Sequence, residues 1–164
     1  MTPVTLLQCL AEFLKEQVKN YVYYNVKGDI MPIAVYTQYL PIKTDSLVKN
    51  YPFVMPTITE VSDDTEDSSV KITIMAGIVD PDKTLYGISI LNLVEHIRQA
   101  LLKNQNLTMH GKIYGHMKLP LKTKLLLDQP YPEVYGYLET DWDMVQPVPE
   151  LQTMFPDLLS KEDL

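Results

Sequence analysis

The sequence predicts an α+β domain in which an antiparallel sheet of about four to five strands carries two amphipathic helices packed on one face. Two segments have apolar residues at helical spacing, several others alternate apolar and polar residues, and the order is helix, strands, helix, strands. With 164 residues, of which 46% are hydrophobic, the chain can form one core. We assign residues 1–145 to this domain and residues 146–164 to a Pro-containing C-terminal tail.

The two predicted helices come before and after the first group of strands. The first begins with Thr2 as N-cap and Pro3 at the first helical position, and the second covers the sequence ISILNLVEHIRQALLKN, where His96 is predicted to be exposed, away from the apolar stripe. The apolar stripes are Leu6, Leu7, Leu10, Phe13, Leu14, Val18 and Tyr21 in the first helix, and Ile90, Leu93, Val94, Ile97 and Leu101 in the second.

The predicted strands are the segments 30–41, 51–61 and 70–80, followed after the second helix by 112–128 and 130–144. The segment 112–128 is one strand interrupted at Pro120, or two short strands. Residues 43–50, KTDSLVKN, form a polar connection. Acids crowd the segment between the second and third strands, which predicts a hairpin with a long acidic loop. They are Glu60, Asp63, Asp64, Glu66 and Asp67.

The charge balance narrows the classes of partner. A formal net charge of −7 disfavours nucleic acid and anionic membranes, because both are bound through basic patches. No apolar run is long enough to span a membrane, and the N-terminus lacks the basic start of a signal peptide. The single cysteine, Cys9, lies in an apolar helical pattern, which indicates a buried thiol in a reducing compartment.

Three carboxylates alternate in the last strand. Glu139, Asp141 and Asp143 share one face with Tyr135 and Tyr137, because side chains at alternate positions of a strand point the same way. They fit either a metal-dependent hydrolase or the exposed face of an ordinary strand.

We favour the exposed face. The histidines have no paired spacing that would complete a metal site, and no nucleotide-binding loop or GxSxG elbow occurs. We therefore expect neither catalytic residues nor a cofactor. The three histidines are His96, His110 and His116.

The acidic loop has three interpretations. It is a solvated hairpin tip, a contact arm for a basic partner, or a calcium site. The EF-hand pattern and its glycine are missing, which leaves the calcium interpretation weakest. Eleven tyrosines against three Phe and one Trp fit either a core or an interface role.

Four segments in this order resemble the tail terminator, or tail-completion, proteins of long-tailed bacteriophages. They are the N-terminal amphipathic helix, the acid-rich EVSDDTED leading into VKITIMAGIVD, the helix LNLVEHIRQALL, and the final strand DQPYPEVYGYLETDWDM. The resemblance covers residues 3 to 145 and is loose over residues 111–127. The tail from Gln146 onward has no counterpart.

The resemblance implies a non-enzymatic virion protein made in the host cytoplasm. It would form a ring, commonly a hexamer, at the head-proximal end of the tail tube, where it stops tube growth and joins the tail to the head. Its partners would be other copies of itself, the tail tube protein and the head connector or a head-completion protein. DNA would pass through the ring without specific binding, and an acidic lumen would suit that passage.

Within this picture the acids from Glu60 to Asp67 are candidate partner contacts, and Tyr135, Tyr137, Glu139, Asp141 and Asp143 are candidates for a ring or lumen face. A head-completion, neck or tail tube subunit is the close alternative. The hydrolase and a binding module for a basic protein are alternatives of other classes.

Overall fold

The computed structural model describes residues 1–41 and 51–147, and contains two α-helices within them, α1 (Pro3–Val18) and α2 (Ile88–Lys103). Thr2 caps α1 as predicted. Its hydroxyl accepts a hydrogen bond from the backbone of Thr5, and the Thr5 hydroxyl accepts one from the backbone of Thr2, which is a capping box. Neither helix is long and apolar enough to cross a membrane.

The described residues form one curled sheet of eight strands, so the prediction of four to five strands was too low. The path through the sheet is β2-β1-β5-β8-β7-β6, with β4 paired to β5 and β3 paired to β4. All pairs are antiparallel except β3 with β4. The strands are β1 (Val22–Tyr24), β2 (Ile30–Pro32), β3 (Ala34–Val35), β4 (Phe53–Asp63), β5 (Ser68–Val79), β6 (Asn106–Met109), β7 (Lys112–Leu125) and β8 (Glu133–Met144).

The predicted strand 30–41 is replaced by two short ones. Pro32 has no N–H to continue the pairing, so β2 ends there, and β3 then turns to pair with β4. By contrast, β7 runs through Pro120 as one strand, with a shift of register between Lys118 and Lys122. The polar connection 43–50 and the tail beyond residue 147 lie outside the described residues.

Both helices contribute to one hydrophobic core with alternate residues of β5 and β8. Leu6, Leu10 and Leu14 of α1 and Leu93 and Ile97 of α2 are fully buried. The helix side chains approach the sheet closely where it carries glycine. A Cβ at Gly136 would lie 2.9 Å from Val94, and one at Gly115 would lie 2.8 Å from Leu6.

A second, smaller cluster surrounds Tyr51, Phe53 and Val79 and includes Tyr135. It covers the outer face of the sheet near the end of β5, where Gly77 leaves room for the Phe53 ring, 2.5 Å from the site of a Cβ. Tyr135 therefore packs against Tyr51, with ring centroids 5.7 Å apart. The outer face is thus aromatic at this end and charged farther along.

The acidic segment is not a long loop. Strand β4 continues to Asp63 and pairs with β5 up to Asp63 opposite Ser68, which leaves only residues 64–67 as the turn. Glu60 lies within β4, where its carboxylate is 3.0 Å from Nζ of Lys71. Cross-strand pairing of this kind extends the ladder into a segment whose composition suggests a loop.

Candidate interaction surfaces

The carboxylates of β8 share one face, as predicted. The strand alternates strictly between buried and half-buried residues, with Glu139, Asp141 and Asp143 on the half-buried side. Lysines of the neighbouring strands cover them. Nζ of Lys124 lies 2.8 Å from Glu139 Oε1, and Nζ of Lys118 lies 2.5 Å from Asp143 Oδ1. The paired carboxylates, Glu139 and Asp143, raise the pKa of Lys124 and of Lys118.

A row of alternating charge crosses four strands of the sheet. Glu60 of β4 is opposite Lys71 of β5, Lys71 is opposite Asp141 of β8, and Asp141 is opposite Lys118 of β7. The hydrogen bond with Glu60 raises the pKa of Lys71, and Asp141 contributes to the same shift. The face predicted as a ring or lumen surface is therefore charge-balanced over this region rather than purely acidic.

The cross-strand partners of Glu139 and Asp141 on β7 are Lys122 and Lys118, which are not metal ligands of the usual kind. Within residues 1–41 and 51–147, no three His, Cys, Asp or Glu side chains are placed so that they could hold a metal ion. His116 lies opposite Asp143 on β7, and its Nδ1 is 2.7 Å from the side-chain oxygen of Asn106.

Two single-residue predictions have clear outcomes. Cys9 is buried, as predicted, and burial raises the pKa of its thiol. His96 is not exposed, which corrects the prediction. Its Nε2 lies 2.8 Å from the Gln17 carbonyl oxygen and its ring packs on Tyr21, because α1 ends beside this part of α2.

The five acids predicted as partner contacts are all exposed. Asp63 accepts a hydrogen bond from the Ser68 hydroxyl at 2.5 Å, and the Asp64 amide donates to the carbonyl of Asp67 across the turn. Glu66 and Asp67 remain on the surface at the tip. We call the acidic end the part of the molecule formed by residues 63–67 together with the adjoining end of β8.

The opposite end of the long strands is apolar. Most of the large apolar side chains that are exposed among the described residues lie on the β1–β2 hairpin, on the connection from β5 into α2 with its first turn, and on the connection from β7 to β8. The apolar end, as we name it, consists of Val22, Tyr24, Val26, Ile30, Met31, Leu85, Ile88, Leu91, Leu125, Leu126, Leu127 and Tyr131.

Contacts join these three segments at that end. Tyr24 is opposite Val79, the last residue of β5, and the Tyr131 ring packs edge-on against Tyr86. The Tyr86 hydroxyl donates to the carbonyl of Glu133, the first residue of β8. Sequence reasoning missed this surface because its residues come from three separated segments, each too short to show a pattern.

The lysine partners of the β8 acids were also missed. Lys118, Lys122 and Lys124 alternate in the sequence KLPLKTKL, and this spacing does indicate one charged face. The spacing of these lysines does not reveal which strand lies beside β7 in the sheet.

No protein-family model matches the chain, and no curated protein is significantly similar to it.

Proposed function

We propose that this protein is a structural virion assembly protein, the tail terminator of a long-tailed bacteriophage. Its subunits, with both helices packed on one face of the sheet, close into a ring at the head-proximal end of the tail tube. The ring stops tube growth and joins the tail to the head, and it performs no catalysis. The proposal begins from the order of motifs along the chain and is supported by the distribution of exposed side chains.

The supporting observation is that the two ends of the long strands differ in character. One end exposes apolar side chains such as Leu85, Ile88 and Leu91, and the other exposes Glu66 and Asp67. Contiguous exposed apolar residues mark contact surfaces. A terminator must hold the tube on one side and the head on the other, and a subunit with two unlike ends suits that task.

A closed ring also needs two different contact surfaces on each subunit, because its interfaces are heterologous. At the apolar end, the β1–β2 hairpin lies at one edge of the sheet, and the connection 126–132 begins at the end of β7, which β5 and β8 separate from β1. We propose that the hairpin of one subunit meets the 126–132 connection of the next. The exposed side chains facing outward are mainly Val22, Ile30, Leu126 and Leu127.

The charge-balanced outer face suits a surface that DNA passes without binding. Lysines alternate with Glu139, Asp141 and Asp143, so no basic patch of the kind that binds phosphates forms around this row.

Light scattering on the purified protein tests the ring contact. Ile30→Glu and Leu127→Glu each place a charge where the proposal buries an apolar side chain, so each variant should lose ring formation, alone or on added tails. Tyr39→Glu is the matched control, because Tyr39 is also a large and highly exposed side chain but lies outside the apolar end. Rings that persist in both variants, or that are lost equally in the control, would contradict the proposed contact.

A further inference from the structure

A cavity of about 640 Å³ opens at the acidic end, where the described part of the chain finishes. It lies between Met1, the start of β7, the end of β8 and the acidic turn. Its lining is mainly apolar, and three of its large apolar side chains are left open to solvent: Met1 is 55% exposed, Ile113 54% and Val145 73%. These residues belong to none of the apolar end's segments.

The chain leaves the domain along the wall of this cavity. The Gln146 side chain donates a hydrogen bond to the carbonyl oxygen of Asp64 at 2.9 Å, which holds the exit against the acidic turn. Pro147, the last described residue, is itself part of the lining. The segment 148–164, 17 residues in length, therefore begins at the cavity's edge.

The segment 148–164 carries one stretch whose chemistry matches the cavity. Between Glu150 and Asp157 the sequence LQTMFP has no charge and includes Met154 and Phe155. The rim of the cavity bears Glu66, Asp67 and Asp143, which would repel the segment's acids but not this stretch. Phe155 is eight residues after Pro147, a length that reaches up to roughly 26 Å when extended and so allows the chain to turn back.

We propose that residues 151–156 dock into this cavity of their own chain, with Phe155 against Ile113 and Val145. The short tether favours the chain's own segment over that of a second copy, because a flexible connection of this length keeps its end at an effective concentration on the order of millimolar. Docking covers the exposed apolar lining beside the acidic turn. This inference does not depend on the proposed function.

Disulfide trapping in the full chain tests the docking. His116→Cys combined with Thr153→Cys leaves Phe155, Ile113 and Val145 in place, and it should form a bond within one chain under mild oxidation, seen as a compact monomer on a non-reducing gel. Leu119→Cys with Thr153→Cys is the matched control, since Leu119 is also exposed on the same strand but lies outside the cavity. The native Cys9 is buried and is left in place.

Equal trapping in both pairs, or a bond that joins two chains, would overturn the proposal, and the second result would assign the segment to a neighbouring copy. Hydrogen exchange provides a readout that needs no cysteine. Phe155→Asp should reduce the protection of residues 112–116, and Leu164→Asp, which also replaces an apolar side chain by Asp but lies outside the uncharged stretch, should not. Unchanged protection in Phe155→Asp would also overturn it.

Discussion

The single tryptophan of the protein, Trp142, both fills the hydrophobic core and takes part in hydrogen bonding between side chains and strands. Trp142 is fully buried, and its indole N–H donates to the Thr140 hydroxyl at 2.8 Å. That hydroxyl donates in turn to the carbonyl oxygen of Ile72 on the next strand. The side chain thus fills the core while its polar atom is satisfied, as a buried indole requires.

Replacing this ring should be costly. Trp142→Ala should lower the free energy of unfolding by about 3–5 kcal/mol, because it leaves a large cavity and removes the hydrogen bond that the Thr140 hydroxyl accepts. Urea denaturation measures the change, with Tyr39→Ala as a control at an exposed ring. As the protein has one Trp, its fluorescence reports this site alone, and an emission maximum typical of exposed tryptophan in the native protein would show the placement to be wrong.

The second prediction at this scale is that the β8 carboxylates bind no metal ion that stabilises the fold. Because Lys118 and Lys124 already pair with Asp143 and Glu139, we expect the midpoint of thermal unfolding to be unaffected by EDTA or added divalent ions, in the native protein and in Asp141→Asn alike. Differential scanning calorimetry makes the comparison. If metal ions shift the unfolding midpoint of the native protein but not that of Asp141→Asn, the result would favour the hydrolase interpretation.

Among the elements, α2 packs on β8 through the gap that Gly136 leaves. A Cβ there would lie 2.9 Å from Val94 and 2.8 Å from Leu125, with Ile90 next at 3.4 Å. The helix and the end of β7 thus meet over a residue without a side chain.

Gly136→Ala should therefore destabilise the protein by about 1–3 kcal/mol, the usual result of adding a methyl group to a packed core. Thr73→Ala, on the outer face of the paired strand β5, is the control, and it should cost less than about 1 kcal/mol. The denaturant midpoints of the two variants measure these changes in stability. A neutral or stabilising Gly136→Ala would show that α2 does not pack tightly against the sheet at Gly136.

The elements also show what a sequence can and cannot predict here. The two helices follow their apolar spacing, and α1 begins at its Thr-Pro signal, because both patterns are local. The strands β1 and β6 were missed, since three or four residues are too few to display alternation. The sequence predicts a long loop for the acidic segment because the segment's strand character depends on a partner that is not local: Glu60 pairs with Lys71, eleven residues away.

For the whole molecule, the unlike ends lead to a prediction about assembly. Removing three charges at the tip with Asp64→Asn, Glu66→Gln and Asp67→Asn should keep the fold and weaken joining to heads by about tenfold, if three interface charges together supply about 1.4 kcal/mol. Asp63 is left unchanged because it accepts the Ser68 hydrogen bond. Joining of purified tails to heads, counted at low and high salt, is the measurement.

The variant's remaining joining should depend less on salt than that of the native protein, because salt screens charge pairs at an interface rim. Glu12→Gln, Glu16→Gln and Glu95→Gln together form the control, since they remove the same number of charges from the exposed faces of the helices. If the triple variant joins heads as well as the native protein does at both salt concentrations, the acidic turn is only a solvated tip.

The central claim is that this subunit ends tail growth, and electron microscopy of tails from a phage lacking the protein tests it most directly. The account predicts overlong tails that carry no heads, with normal length restored when the native protein is supplied. Tails of normal length joined to heads in its absence would contradict the account.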